Sequence, residues 1–206
     1  MQIQVRDLGY KIKDHQIFKG VNFSVGSPAM VSIIGPSGSG KTTLLNCISL
    51  MLDACEGDIS IDGKSVMGLS HRAKLAYWHD CFSFIYQDYG VILEETVLYN
   101  ICFKKRLKKA DKDRAQDILD KVGLGFKTYD KAGVLSGGEK QRLGVARALY
   151  KKSQIIFADE PTASLDIDNA NMVGALLKDY VAAGGLVICA THDDKVAEIS
   201  DMVIRL

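Results

Sequence analysis

Residues 35–43 read Gly35-Pro36-Ser37-Gly38-Ser39-Gly40-Lys41-Thr42-Thr43, directly after an apolar run at positions 31–34. The first eight fit the pattern G-x-x-x-x-G-K-[ST], a loop that joins a strand to a helix and holds phosphates. Its glycines let the backbone turn its N–H groups inward, and the helix N-terminus adds partial positive charge. We expect Lys41 to reach the β- and γ-phosphates of a nucleoside triphosphate and Thr42 to bind Mg²⁺.

A chance glycine-rich turn is the alternative interpretation of this segment. It is disfavoured because a strand pattern precedes the loop and because Leu44, Leu45 and Ile48 follow it at helical spacing. The segment therefore predicts an α/β fold with a P-loop NTPase core. We assign nucleotide contacts to all nine of its residues.

Other apolar patterns predict the rest of the sheet structure. Short continuous runs at 31–34, 155–158 and 186–190 suit parallel strands covered on both faces. Alternation with a period of two, in the first thirty residues and again at Ile59 and Ile61, predicts antiparallel strands. We therefore expect a core of mixed or parallel sheet with an N-terminal antiparallel β-subdomain.

The middle of the chain has a helical pattern instead, from about residue 96 to residue 149. Ala115, Ile118, Leu119 and Val122 share one helix face, and Gly123 is a plausible end of that helix. We predict a single domain over residues 1–206. Its α/β core and β-subdomain occupy 1–87 and 150–206, and an inserted helical subdomain occupies about 88–149.

Composition narrows the class of protein. The net charge of +1 argues against a nucleic-acid binder, which would normally be strongly basic. Five cysteines, an odd number without metal-ligand spacing, indicate reduced thiols in a cytosolic protein. The chain opens without a signal-peptide pattern, and it has no apolar window of about 18 residues. We therefore expect a cytoplasmic protein that serves a membrane, if it does so, through a partner.

Two acids follow the apolar run at 155–158. Asp159 ends the predicted strand, where it can reach the Mg²⁺ shell, and Glu160 lies one residue further, where it can polarise the water that attacks the γ-phosphate. The alternative is an ordinary strand end that carries surface acids. The phosphate loop in the same chain favours the catalytic interpretation.

Two further polar residues follow predicted strands. His192 comes after the run at 186–190 and could contact the γ-phosphate, although a lone histidine is more often structural. Gln87 follows an apolar run at 82–86, and its amide could touch both Mg²⁺ and the attacking water. Taken alone, Gln87 would be an ordinary loop residue. The presence of the other motifs in the same chain favours a functional role for both residues.

A second anion site is predicted by Leu135-Ser136-Gly137-Gly138-Glu139-Lys140-Gln141-Arg142. Ser136, Gly137 and Gly138 would expose backbone N–H groups at the start of a helix. A kinase needs only one triphosphate cradle, so two indicate a nucleotide held between two copies of the chain. The segment resembles the signature of the ABC ATPase family residue for residue, and the resemblance covers essentially the whole chain.

The resemblance implies ATP and Mg²⁺ as ligands, and a homodimer, or a dimer with a sister subunit, that closes head to tail around them. It also implies that Tyr10, 25 residues before Gly35, stacks on adenine, and that Ser164 and Asp166 lie at the dimer interface. As alternatives, Tyr10 packs within its strand and Asp166 caps a helix, with Asp168 a rival for that cap.

The resemblance further implies that ATP hydrolysis energises a separate transmembrane permease, which would hold the chain on the inner face of the cell membrane. Leu93-Glu-Glu-Thr-Val-Leu-Tyr-Asn100 and Pro161-Thr-Ala-Ser-Leu-Asp166 look most like stand-alone subunits for bacteriocin export, lipoprotein release and macrolide efflux. This similarity suggests a peptide, lipid or drug-like cargo. The alternative is a soluble ABC-type ATPase without a transport role, such as an iron–sulfur assembly factor.

A basic run remains outside these motifs: Lys104, Lys105, Arg106, Lys108 and Lys109. We predict a solvated helix face for it. The alternatives are a surface near anionic lipid headgroups and a surface for an acidic partner.

Overall fold

The computed structural model describes all 206 residues and divides nine strands between two sheets. The antiparallel sheet has the order β2-β1-β4-β5 and contains β1 (Gln2–Ile12), β2 (His15–Gly26), β4 (Glu56–Ile61) and β5 (Lys64–Ser65). The second sheet has the order β6-β7-β8-β3-β9, and its paired strands are all parallel. Its members are β3 (Ala29–Ile34), β6 (Phe82–Ile85), β7 (Ile155–Asp159), β8 (Leu186–Ala190) and β9 (Met202–Arg205).

Seven helices complete the fold: α1 (Lys41–Ile48), α2 (His71–Asp80), α3 (Val97–Cys102), α4 (Lys109–Lys121), α5 (Gly137–Lys151), α6 (Ile167–Ala182) and α7 (Asp194–Glu198). Two one-turn 3₁₀ segments, Gly125–Lys127 and Ala132–Val134, lie between α4 and α5. No helix is both long enough and apolar enough to cross a membrane. The predicted α/β class, with its antiparallel and parallel sheets, is confirmed.

The parallel sheet is covered on both faces, which explains its continuous apolar runs. Every residue of β3 and β8 is buried. One face packs against α1 and the antiparallel sheet in a cluster that includes Leu44, Ile48 and Ile188, and the other packs against α5, α6 and α7. Because α1 lies between two sheets, the loop that leads into it is held firmly in place.

The helical segment has a core of its own. Ala115 and Leu119 on α4 and Val122 at its C-terminal cap pack with residues of α3 and α5, as their spacing predicts, and Gly123 follows with a φ of +68°. The division of the chain at residues 88 and 149 stays a prediction.

The basic run differs from its prediction. Residues 103–108 form a loop between α3 and α4, and only Lys109 is helical. The helix ends early because Phe103 adopts a left-handed conformation, with a φ of +50°, at the C-terminus of α3. The four basic residues of this loop are exposed, so they are solvated, but they do not form a helix face.

Candidate nucleotide-binding and catalytic site

The phosphate loop connects β3 to α1 and needs glycine at two positions. Gly40 has a φ of +96°, and a Cβ there would lie 2.7 Å from Cγ2 of Ile17 on β2. At Gly35 a Cβ would lie 2.6 Å from the Ser39 hydroxyl oxygen. Gly40 also caps α1 without any side-chain hydrogen bond to the first turn. The N–H groups at the start of α1 therefore have no side-chain acceptor and can receive an anion.

Lys41 lies inside this loop. Its side-chain Nζ donates to the carbonyl oxygens of Gly35 and Pro36, both at 3.0 Å, and the residue is buried. No carboxylate lies within 4.0 Å of the Lys41 ammonium. A buried cation that only carbonyl groups satisfy is suited to an incoming phosphate.

The predicted metal ligands come together at the end of β7. The Thr42 hydroxyl donates to Oδ1 of Asp159 at 3.0 Å, and Gln87 lines the same cleft of about 640 Å³. Burial raises the pKa of Asp159, an effect that the hydrogen bond from Thr42 opposes. A hydroxyl, a carboxylate and an amide are hard oxygen donors of the kind that Mg²⁺ takes, together with water and phosphate oxygens, so the residues present fit this ion.

Glu160 is buried at the turn after β7, where its φ of +49° directs the chain away from the strand. Oε1 of its carboxylate lies 2.8 Å from Nδ1 of His192, and Oε2 accepts from the Thr191 hydroxyl at 3.1 Å. The hydrogen bond to Glu160 is the main cause that raises the pKa of His192. The structure therefore pairs His192 with Glu160, a contact that the sequence analysis did not foresee.

The signature segment starts α5 with a capping box. The Ser136 hydroxyl accepts from the Glu139 N–H at 3.3 Å, and the Glu139 carboxylate accepts from the Ser136 N–H at 2.9 Å. The Ser136 N–H therefore already has an acceptor in Glu139, and contact of Ser136 with a nucleotide stays a prediction. Gly137 and Gly138 hold the first two helical positions, whose N–H groups have no acceptor within the helix.

Glu139 itself is anchored. Nζ of Lys127 lies 2.6 Å from Oε1 of Glu139, and this hydrogen bond is the main cause that lowers the pKa of the carboxyl group. The spacing of Ser136 and Glu139 was a visible capping signal. Lys127 could not be found in this way, because it comes from a separate 3₁₀ turn.

The remaining predicted residues have clear structural surroundings. Tyr10, on β1, is half-buried and stacks on Phe18 of β2, whose ring in turn lies beside Gly40. Asp166 caps α6 by accepting from the Asn169 N–H at 2.9 Å, as the alternative interpretation expected. Ser164 lies 3.2 Å from the phenol oxygen of Tyr89. Adenine stacking by Tyr10 and an interface role for Ser164 and Asp166 stay predictions.

Sequence reasoning also missed residues that support the site from a distance. Gln141, buried on α5, donates to the carbonyl oxygen of Glu160 at 3.3 Å and so connects the signature helix to the catalytic turn. Arg147, on the same helix, donates to the carbonyl oxygens of Tyr89 and Gly90 in the loop after Gln87. Both are polar residues next to buried apolar positions of α5, which was the only available signal.

Comparison with known proteins places these observations in a family. The family model described as ABC transporter matches residues 18–163. The chain is 35% identical to the phosphonates import ATP-binding protein PhnC 2 of Oceanobacillus iheyensis, over 99% of this chain and 86% of that protein. It is also 35% identical to the lipoprotein-releasing system ATP-binding protein LolD 1 of Caulobacter vibrioides, over 90% of this chain and 82% of that protein.

A longer relative and a solved structure add to this picture. The macrolide export ATP-binding/permease protein MacB of Pectobacterium atrosepticum is 34% identical over 94% of this chain, which spans only 30% of that protein. The dimeric structure of MJ0796, a bacterial ABC transporter cassette, superposes with a TM-score of 0.90 at 32% sequence identity. The superposition covers 99% of this chain and 94% of the MJ0796 chain. The chain therefore belongs to the ABC transporter family and is one of its ATP-binding, ATP-hydrolysing subunits.

Proposed function

We propose that two copies of this chain close head to tail around MgATP, hydrolyse it, and thereby energise a separate transmembrane permease. The observation that carries the proposal is that one chain has two helix N-termini with N–H groups that lack an acceptor, one after Gly40 at α1 and one at Gly137–Gly138 at α5. Each set suits a phosphate. A single triphosphate can use both sets when they come from opposed copies.

Different residues of the chain bind the phosphates, hold the metal ion and activate water. Lys41 exchanges its carbonyl partners for the β- and γ-phosphates, and the N–H groups after Gly40 hold the same oxygens. Bound Mg²⁺, held by Thr42, Asp159 and Gln87, would neutralise charge that develops on the phosphates. These contacts position the γ-phosphate next to the turn that carries Glu160.

Glu160 would then orient and polarise the attacking water. In the structure its carboxylate is held by Thr191 and His192, which fixes its direction before a nucleotide arrives. His192 would keep this hydrogen bond and so preserve the geometry of attack. Gly137 and Gly138 of the second copy would cover the γ-phosphate from the other side, because their N–H groups are free of helical partners.

The surface for the permease is proposed at a groove of about 680 Å³ next to the loop after Gln87. Arg114, Arg147 and Lys151 line it, and none has a carboxylate within 4.0 Å. The aromatic rings of Phe84, Tyr86, Phe103 and Tyr150 also line it, and Asp111 is the one acidic residue of the lining. A groove of this kind suits a permease segment that carries acidic and apolar side chains.

Export is the proposed direction of transport, with a peptide, lipid or drug-like cargo. The similarity of residues 93–100 and 161–166 to stand-alone export subunits supports it, as do the names of the lipoprotein-releasing and macrolide-export relatives. The phosphonates import relative is equally similar in sequence, so direction needs its own measurement. Uptake of cargo into inside-out membrane vesicles that carry the complex, driven by external ATP, is the expected result.

A soluble ABC-type ATPase without a transport role is less well supported, because the names of the relatives describe transporter components. The proposed location is cytoplasmic, on the inner face of the membrane through the permease. A bacteriocin cargo stays a prediction.

The proposed catalytic role is tested with Glu160→Gln. The variant should bind MgATP nearly as the wild type does but hydrolyse it at least about 10²-fold more slowly, the low end for loss of a general base. Because ATP then persists, the variant should accumulate as a dimer in light scattering. Glu198→Gln, at an exposed carboxylate on α7, is the matched control and should keep wild-type turnover. Near-wild-type turnover of Glu160→Gln would reject the assignment.

A further inference from the structure

Tyr89 has an unusual conformation in the loop after Gln87. Its φ is +68°, in the left-handed region that bulky side chains rarely adopt. The surrounding structure holds it there: Arg147 on α5 donates to its carbonyl oxygen at 3.0 Å. A strained position that tertiary contacts maintain is more common where function requires a particular geometry.

The phenol of Tyr89 contacts two other functional segments. Its oxygen lies 3.2 Å from the Ser164 hydroxyl and would lie 3.0 Å from a Cβ at Gly137. The same side chain therefore touches the first helical residue of the signature and the loop that precedes α6. Gly138 is close by, since a Cβ there would lie 3.1 Å from the carbonyl oxygen of Ser164. The three segments form one contact group around the Tyr89 ring.

These segments serve different nucleotides in the proposed dimer. Gln87, two residues before Tyr89, lines the cleft of the chain's own phosphate loop, whereas Gly137 would face the nucleotide bound to the other copy. Tyr89 therefore forms a short connection within one chain between the two ATP sites. A displacement of Gln87 would reach Tyr89 through two peptide units and reach Gly137 and Ser164 through the phenol.

We infer that Tyr89 is a positioning residue whose hydroxyl transmits the state of Gln87 at one ATP site to the signature and Ser164 segments that serve the other. The inference rests on the proposed function, because it needs a site at each end of the connection. It assigns no contact between Tyr89 and the nucleotide. When Gln87 is engaged by MgATP, the Tyr89 hydroxyl, which Ser164 holds next to Gly137, orders the start of α5 before the second copy arrives.

The direct test is amide hydrogen exchange at a protein concentration where light scattering shows monomers only. In wild type, MgATP should slow exchange in the phosphate-loop peptide and also, by about fivefold, in the peptide that spans 136–140, as expected for one ordinary hydrogen bond. In Tyr89→Phe, which keeps the ring, the phosphate-loop peptide should respond as before and the 136–140 peptide should not. Tyr129→Phe, at a tyrosine that is 73% exposed, is the control and should behave as wild type.

Steady-state kinetics give a second test, because a purely packing role of the Tyr89 ring would leave kcat unchanged in Tyr89→Phe. Tyr89→Phe should lower kcat about fivefold, with the ATP affinity of the monomer unchanged. The loss of kcat that Ser164→Ala causes should be smaller in the Tyr89→Phe background than in wild type, because both substitutions break the same hydrogen bond.

The outcomes separate this inference from the proposed function. If MgATP protects neither peptide in wild type, nucleotide binding at the phosphate loop fails and the proposed function fails with it. If MgATP protects the phosphate loop but leaves 136–140 unchanged in wild type, the connection is rejected while nucleotide binding stands. Equal protection of 136–140 in wild type and Tyr89→Phe would leave the hydroxyl without this role.

Discussion

At the scale of single residues, the pairing of Glu160 with His192 sets how the catalytic turn responds to pH. The side chain of Glu160 is 11% exposed, whereas that of His192 is 68% exposed, so the pair lies at the edge of the core. Glu160 raises the pKa of His192, and Asp193 acts in the same direction, while desolvation and Lys41 oppose them. The protonated imidazole therefore stabilises the turn around a carboxylate that must keep its orientation.

This pairing predicts a specific pH dependence of stability. A histidine whose pKa is raised on folding contributes fully below its unfolded pKa of about 6.5, and the contribution is lost as pH rises through the folded value. Wild type should exceed His192→Gln in urea midpoint at about pH 5, and the difference should shrink by about pH 8. Solvent screening should keep the difference small, because His192 is mostly exposed.

The matched control for this measurement is His15→Gln, at an exposed histidine that begins β2. It should show no change in the urea midpoint relative to wild type across the same range. A difference between wild type and His192→Gln that stays constant with pH would mean that the imidazole contributes by packing and not by its charge.

At the scale of elements, what the sequence predicts well is what lies in contiguous segments. The chemistry of the phosphate loop, of the Asp159–Glu160 strand end and of the signature can each be recognised from a few consecutive residues. The contacts that join them cannot be found in this way. Gln141 to Glu160 and Arg147 to Gly90 depend on how α5 packs in the fold, and Tyr89 to Ser164 depends on how two loops meet. No periodicity in a single sequence encodes such packing.

The loop at 103–108 shows the same limit in another way. No glycine or proline marks the end of α3, and Phe103 ends it only by adopting a left-handed conformation. The sequence therefore predicts the charge of this stretch but not its shape. In this loop Lys104, Lys105 and Arg106 are exposed to solvent. Phe103 and Lys104 also line the groove proposed for the permease.

Charge reversal in this loop tests the proposed partner. Lys105→Glu combined with Arg106→Glu should weaken retention on permease-containing membranes by about tenfold, because two attractions become repulsions at the rim of the interface. ATPase activity of the isolated subunit should not change. Lys112→Glu with Lys121→Glu, both exposed on α4, is the control. Binding to protein-free vesicles of anionic lipid, lost on reversal of the loop, would instead assign the run to lipid headgroups.

At the scale of the whole molecule, the two sets of free helix N–H groups belong to different parts of one chain. The first is held between the two sheets at α1, and the second begins α5, the helix that also anchors the loop after Gln87. The structure thus connects the signature helix to the loop after Gln87 of the same chain. In the proposed dimer, a complete site combines a phosphate loop from one copy with a signature from the other.

Mixing two defective variants tests this arrangement. Lys41→Ala removes the charge of one cradle, and Gly137→Asp places a carboxylate where the γ-phosphate of the partner's ATP should lie. Each homodimer has two broken sites, but in a mixed dimer one site collects both defects and the other collects none. Mixing should therefore restore ATP-dependent association in light scattering, and some hydrolysis if one intact site suffices.

Gly137→Asn is the matched control, since it has nearly the same size without the charge, and it should associate better with ATP than Gly137→Asp does. If ATP drives dimers of wild type but never of the mixture, or if wild type hydrolyses ATP at full rate as a strict monomer, the head-to-tail arrangement is wrong.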